Sequence, residues 1–82
     1  MIRVRYFASL RERLGTADET LAQWPGTVAE LRHSLAARGG AWEDVFAGGQ
    51  PVLVAVNQEM AGPEQAIVDD DEIGFFPPVT GG

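Results

Sequence analysis

The residues with the clearest chemical potential form the end of the chain. They are Pro77, Pro78, Val79, Thr80, Gly81 and Gly82. The two prolines favour an extended polyproline conformation, so the segment would reach roughly 20 Å beyond a folded domain. Glycine has no Cβ, and the last two residues are therefore thin enough to enter a narrow channel. The pattern predicts an extended tail whose terminal carboxylate meets a partner, although a frayed terminus would have the same composition.

The rest of the chain is poor in catalytic residues. It contains no cysteine, and its six basic residues are all arginine. Disulfides, thiolate zinc sites, cysteine nucleophiles, P-loops and Schiff-base lysines are therefore excluded. The single histidine, His33, has no second histidine with which to bind a metal. Either the chain only binds a partner, or its reactive group is not one of the usual catalytic side chains.

Composition and charge indicate one small globular domain. The chain has 82 residues, 45% of them apolar and 22% charged, and no apolar run approaches the length that spans a membrane. A net charge of −6 at pH 7 argues against nucleic-acid binding and favours a partner with a basic surface. Because the sequence begins directly with a strand-like pattern rather than a signal peptide, we expect a cytoplasmic protein.

Hydrophobic periodicity predicts strand, strand, helix, strand, strand. Strands are expected at residues 2–7, 18–24, 51–56 and 72–76, with the third, apolar on both faces, at the centre of the sheet. Short helical turns are expected at 8–14 and 41–46. Thr27 and Glu30 form a capping box that begins the main helix, which runs to about residue 38. Its predicted buried stripe is Val28, Leu31 and Leu35, with His33 on the opposite side.

Two aromatic residues fall on the polar faces of the first and last strands, which we expect to be neighbours in the sheet. Strand alternation groups Phe7 with two arginines, and it groups Phe76 with Glu72. Scattered surface hydrophobics are common, but a pair beside the tail favours a docking site. Arg11, on the helical turn after Phe7, would add a charged contact. In contrast, the acidic run at residues 69–72 lacks the spacing of a calcium loop and is interpreted as a solvated turn.

Three segments of the sequence resemble a known family. The ending Phe-Phe-Pro-Pro-Val-Thr-Gly-Gly at 75–82 is similar to the end of the small subunits of molybdopterin synthase. The opening Val-Arg-Tyr-Phe-Ala-Ser-Leu-Arg-Glu at 4–12 and Val-Ala-Val-Asn at 54–57 are also similar to that family. The resemblance implies an α+β, ubiquitin-like β-grasp fold, with a mixed four- to five-stranded sheet and one main helix. It implies a folded domain at 1–76 and a flexible tail at 77–82.

The same resemblance implies a sulfur carrier. A ubiquitin-activating-type adenylyltransferase would use ATP to adenylate Gly82, and a sulfur donor enzyme would convert the adenylate to a thiocarboxylate. The chain bearing the thiocarboxylate would dock on the large subunit, in a heterotetramer of two small and two large subunits. It would then pass its sulfur to cyclic pyranopterin monophosphate. The product is the dithiolene of molybdopterin. No metal or permanently bound cofactor is implied, and the general acids and bases would belong to the partners.

Residue roles follow from the resemblance as well. Gly82 would be the reacting residue, and the other five tail residues would enter the partner's channel. The implied partner contacts are Phe7, Arg11, Phe75 and Phe76. Three alternatives stay open: a carrier for another pathway, such as the thiazole of thiamin; a protein modifier joined to lysines by isopeptide bonds; and a plain binding module with an inert tail.

Overall fold

The described residues are 1–22, 26–49 and 51–78 of a computed structural model. Their elements, in chain order, are β1 (Ile2–Tyr6), α1 (Ser9–Leu14), β2 (Asp18–Leu21), β3 (Gly26–Thr27), α2 (Val28–Ala36), α3 (Gly40–Ala47), β4 (Leu53–Val56), β5 (Glu59–Met60), β6 (Ala66–Ile67) and β7 (Glu72–Phe76). The predicted second strand therefore ends earlier than expected, and residues 23–25 lie outside the described residues.

Five of the strands form one mixed sheet in the order β2-β1-β7-β4-β5, and β3 pairs with β6 separately. The first and last of the long strands, β1 and β7, run parallel, while the other pairs are antiparallel. The α+β class and the mixed sheet are thus confirmed. The prediction that the strand at 51–56 is central is wrong, because the parallel pairing of β1 and β7 places β7 in the middle.

The core lies between one face of the sheet and the helices. Alternate residues of β1, β4 and β7 point into it, together with one side of each helix. Its largest fully buried side chains are Tyr6, Phe75, Ile2, Leu31, Leu35, Ile73, Val4, Val28 and Val45. The opposite face of the sheet therefore carries the other half of each strand's side chains.

Thr27 caps the start of α2 as predicted, and its hydroxyl also donates to the Glu30 carboxylate at 3.3 Å. The Thr27 Oγ1 accepts a hydrogen bond from the backbone N–H of Glu30 at 3.3 Å, and the predicted stripe is buried. A single main helix was expected, yet α3 has eight residues against nine in α2. The Trp42–Phe46 spacing suggested only a turn there; packing of α3 on α2 and burial of Val45 and Phe46 stabilise a full helix.

A charged latch, formed by Tyr6, Glu19 and Arg38, ties β1 and β2 to the segment that follows α2. The Glu19 carboxylate accepts hydrogen bonds from the Tyr6 hydroxyl at 2.8 Å and from two guanidinium nitrogens of Arg38 at 2.9 and 2.8 Å. The guanidinium lies 4.4 Å from the ring centre of Trp42. Arg38 holds the pKa of Glu19 below its usual range, while burial and the Glu19 hydrogen bond raise the pKa of Tyr6. The latch therefore favours an ionised Glu19.

We expect Glu19→Gln to lower the free energy of unfolding by about 1–2 kcal/mol at pH 7, since it weakens charge-assisted hydrogen bonds. The contribution of Glu19 is fully present above its ordinary pKa. It is lost as pH falls through the lowered pKa of the folded state. Urea denaturation across acid pH should show a larger loss of stability in the original chain than in the variant, which keeps the other carboxylates with lowered pKa values, such as Asp69.

Glu43→Gln provides the matched control. It removes the same charge from an exposed position on α3 that has no ion pair with another described residue. Its free energy of unfolding should stay within about 0.5 kcal/mol of the original, as for most surface substitutions. Equal acid sensitivity in the original chain and in Glu19→Gln would contradict the role given to the latch.

Candidate functional site

The face of the sheet turned away from the helices carries an apolar patch, here called the aromatic face. Its residues are Phe7, Ala55, Met60, Gly74 and Phe76, which line one shallow groove. The strand register brings them together, because Ala55 lies opposite both Gly74 and Met60. Arg5 and Glu72, whose side chains are 3.6 Å apart, form the groove's polar border.

Phe7 is held on this face by three contacts. Its backbone N–H donates to the Phe75 carbonyl at 3.0 Å, which extends the β1–β7 ladder by one residue. The Phe76 ring meets it edge-on at 6.4 Å, and the Arg5 guanidinium lies 4.9 Å from its ring centre. The side chain is still 37% exposed, and Phe76 is half-buried. The prediction that the two rings share one outer face is confirmed.

Gly74 lies directly beneath the Phe7 ring on the surface of the sheet. A Cβ built on Gly74 would lie 3.0 Å from Cε2 of Phe7, which is closer than ordinary van der Waals contact. The ring can therefore lie low on the sheet because this position has no side chain. Sequence reasoning missed this role, although a glycine inside a strand often marks such an approach.

The prediction that Phe75 is a partner contact is corrected by its burial. Its side chain is 0% exposed and packs between Tyr6, at 6.3 Å, and Phe46, at 5.0 Å between ring centres. Successive side chains of a strand point to opposite faces, so Phe75 and Phe76 cannot both lie on the outer one. Phe75 therefore contributes to stability and not to the aromatic face.

Arg11 lies exposed on α1, which contacts β7. It forms no ion pair with another described residue, so its charge is available to a partner. The half-buried Pro77 and Pro78 continue directly from Phe76. Because β1 and β7 run parallel, α1 with Arg11 and the start of the tail both follow these strands at the same end of the sheet. Phe7 and Phe76 of the aromatic face lie at that end. Val79, Thr80, Gly81 and Gly82 lie outside the described residues.

The turn between β1 and α1 is strained at Ala8. Its φ is 53° and its ψ −129°, and the Leu10 N–H donates to the Phe7 carbonyl at 3.1 Å across it. These angles match the first central position of a type II′ turn, where glycine is strongly preferred. A non-glycine residue held there costs about 1–3 kcal/mol. No sequence signal marks this turn, since alanine is an ordinary residue before a helix.

Met60 is another member of the aromatic face that sequence reasoning missed. The sequence predicted no strand between residues 56 and 72, whereas β5 forms a hairpin with β4. Asn57 and Gln58 both have positive φ, at 51° and 70°, as in the type I′ turns that join two-residue hairpins. Asn57 was the available signal, because asparagine favours that conformation.

Two aspartates of the acidic run at residues 69–72 make polar contacts with other parts of the chain. Asp69 pairs with the N-terminal ammonium of Met1, which lowers the pKa of that carboxyl. Asp71 is only 8% exposed; its carboxylate accepts hydrogen bonds at 2.8 Å from the Val68 N–H and the Asn57 side-chain amide. The interpretation as a solvated turn is therefore wrong for Asp71. Within residues 1–22, 26–49 and 51–78, no cluster of acidic, histidine or cysteine side chains could hold a metal ion.

No described helix combines the length and apolar character needed to cross a membrane. The model of the ThiS family matches residues 4–82. The chain belongs to the ThiS family. This ThiS-family chain is also 45% identical over 83 residues to the molybdopterin synthase sulfur carrier subunit of Escherichia coli (strain K12), and the match covers all of both chains. The family resemblance expected from the opening and ending segments is thereby confirmed.

Solved structures confirm the fold of this ThiS-family chain. Small archaeal modifier protein 1 from Methanosarcina acetivorans has a TM-score of 0.77 and 30% identity, covering 99% of this chain and 95% of that one. Subunit 1 in the complex of subunits 1 and 2 of molybdopterin-converting factor from Helicobacter pylori 26695 has a TM-score of 0.69 and 21% identity, with 99% and 97% covered. The fold is the predicted ubiquitin-like β-grasp.

Proposed function

We propose that this chain is the sulfur carrier subunit of a molybdopterin synthase, with Gly82 as the residue that carries the sulfur. The observation that carries the proposal is the 45% identity, over the full length of both chains, to a molybdopterin synthase sulfur carrier subunit. The Gly-Gly ending and the scarcity of catalytic side chains agree with a chain whose reactive group is its terminal carboxylate.

The chemistry needs little from the carrier itself. A carboxylate resists nucleophilic attack, so an adenylyltransferase first joins Gly82 to AMP at the expense of ATP, with release of pyrophosphate. Sulfide-level sulfur from a donor enzyme then attacks the acyl carbon, AMP departs as the leaving group, and the product is a thiocarboxylate, a good sulfur nucleophile. General acids, general bases and oxyanion donors act from the partner enzymes. The carrier binds no cofactor permanently and works in the cytoplasm.

The aromatic face is the docking surface for the large subunit. Two aromatic rings and Met60 provide the apolar centre and Arg5 borders it, the usual arrangement of an interface. Arg11, exposed on α1 four residues after Phe7, adds a second positive charge. This surface continues into Pro77 and Pro78, so docking directs residues 79–82 toward the partner's active site. Two carriers and two large subunits form the synthase. The net charge of −6 favours approach to a basic partner surface.

Arg11→Ala should weaken binding to the large subunit about tenfold and leave folding unchanged, because Arg11 is exposed and has no ion pair with a described residue. Isothermal titration calorimetry gives the affinity and thermal unfolding gives the stability. Arg13→Ala is the matched control, since Arg13 lies about 200° around the same helix. A clear fall in melting temperature with unchanged affinity would reverse the assignment.

Intact-mass measurement after activation tests the proposal. The protein is incubated with the adenylyltransferase, ATP and a sulfur donor, and its mass is then compared with that of the untreated chain. A gain equal to the replacement of one oxygen by sulfur, localised to Gly82, is expected. An unchanged chain would contradict a carrier role. A thiamin-type carrier would show the same gain but would not pass its sulfur to the pterin precursor.

A protein modifier is the second candidate, favoured by the 30% identity and common fold with small archaeal modifier protein 1. The chain has no lysine, so copies of it cannot be joined to one another through lysine side chains. A modifier of this sequence would therefore add single units to lysines of other proteins. Mass spectrometry of cell extracts would show Gly82 in isopeptide bonds if this activity exists, and free or sulfurated Gly82 if it does not.

A further inference from the structure

Ala8 is strained for no evident benefit to the fold. Its side chain is exposed, and it gives α1 no side-chain capping hydrogen bond. At φ 53° and ψ −129°, glycine would fit the same turn without a Cβ penalty. Folding alone would therefore favour glycine at this position, and the methyl group needs another explanation.

The neighbours of Ala8 hold the strained conformation in place. On one side the Phe7 N–H is bonded to the Phe75 carbonyl, and the Phe7 ring lies against Gly74. On the other side Leu10 is buried in the core. Ala8 is thus fixed, with its methyl group exposed, in the segment that joins Phe7 to α1. Strained residues of this kind concentrate at functional sites.

We propose that Ala8 is a contact residue of the docking surface, and that its methyl group packs against an apolar part of the large subunit. The inference rests on the proposed function, because the occupant is the large subunit of the synthase. Ala8 lies in the chain between Phe7 and Arg11, which flank it as proposed contacts. The surface is then continuous from the aromatic face, through the strained turn, to the exposed side of α1.

Two variants of the full chain test this inference. Ala8→Gly removes the methyl group and the strain; its melting temperature should equal or exceed that of the original chain. Its affinity for the large subunit should fall about fourfold, as for the loss of one buried methyl group. Ala8→Leu keeps a strained non-glycine residue with an exposed side chain, so its melting temperature should change little. Its larger side chain should weaken binding at least about tenfold through overpacking.

Ala37→Gly is the matched control. Ala37 is also exposed but has an ordinary helical φ of −67°, so its replacement should lower the melting temperature and leave the affinity unchanged. Calorimetric titration with the large subunit and thermal unfolding would be run on all four proteins. A melting temperature that is unchanged or raised by Ala8→Gly but lowered by Ala37→Gly would show that the backbone is strained at Ala8 and not at Ala37.

The outcomes separate this inference from the function on which it rests. If Ala8→Gly and Ala8→Leu bind as tightly as the original chain while Phe76→Ala binds weakly, Ala8 is outside the interface and the inference is wrong. A lower melting temperature for Ala8→Gly would show that the methyl group serves the fold, which also overturns it. If the original chain does not bind the large subunit, the proposed docking itself fails.

Discussion

Deletion of Gly82 should give a folded protein that cannot be sulfurated. The carboxyl carbon of this residue has to reach ATP in one partner and the pterin precursor in another. Removing one residue shortens the tail by about 3.3 Å, whereas about 1 Å of misplacement can lower a rate on the order of a hundredfold. The folded domain should be unaffected, because the deletion lies beyond β7, the last strand, which ends at Phe76.

Circular dichroism, large-subunit binding and intact mass after activation measure the three consequences of this deletion. We expect an unchanged melting temperature, nearly unchanged binding and complete loss of the sulfur mass gain. A chain with one residue added after Gly82 is the control for length, and it should also fail unless the extra residue is first removed. Sulfuration of the shortened chain would mean that the reactive terminus has been wrongly assigned.

Phe75→Ala and Phe76→Ala should have opposite consequences although the residues are adjacent. Phe75 is fully buried among aromatic rings, so its truncation should cost about 3–5 kcal/mol. That loss approaches the whole stability of a domain this small. Phe76 lies half-buried on the aromatic face. Its truncation should cost at most about 1 kcal/mol in folding, and about 1–3 kcal/mol in binding to the large subunit.

Urea denaturation and calorimetric titration separate the two effects. Phe75→Ala should be largely unfolded or should unfold at much lower urea, and the fraction that remains folded should bind normally. Phe76→Ala should unfold close to the original midpoint and bind weakly. Equal losses of stability for both variants would contradict the assignment of one ring to the core and the other to the partner.

Local patterns in the sequence predicted the local structure well. Alternation placed Phe7 and Phe76 on one outer face, and the Thr27–Glu30 pair marked the start of α2, because both patterns depend only on near neighbours. The central position of β7 depends on a parallel pairing between residues about 70 positions apart, which no local pattern contains. The same limit explains why the latch formed by Glu19 and Arg38 was not predicted.

The candidate site was predictable in part. Strand alternation predicted that Phe7 and Phe76 share the aromatic face. The same alternation places Phe75 on the opposite face of the sheet from Phe76. The prediction that both residues contact the partner was therefore inconsistent with it. Burial of Asp71 and the strained turn at Ala8 arise from tertiary contacts, and neither residue type signals them. The role of Gly82 came from the resemblance to the family, and it stays a prediction that chemistry has to test.

Single-turnover reconstitution tests the central claim most directly. Chain bearing a Gly82 thiocarboxylate is mixed with the large subunit and cyclic pyranopterin monophosphate, with no other sulfur source present. Because a dithiolene contains two sulfur atoms, we expect molybdopterin to form while two thiocarboxylates return to carboxylates for each pterin converted. If the complex forms but the thiocarboxylate stays intact and no molybdopterin appears, the chain is not the sulfur carrier of this reaction.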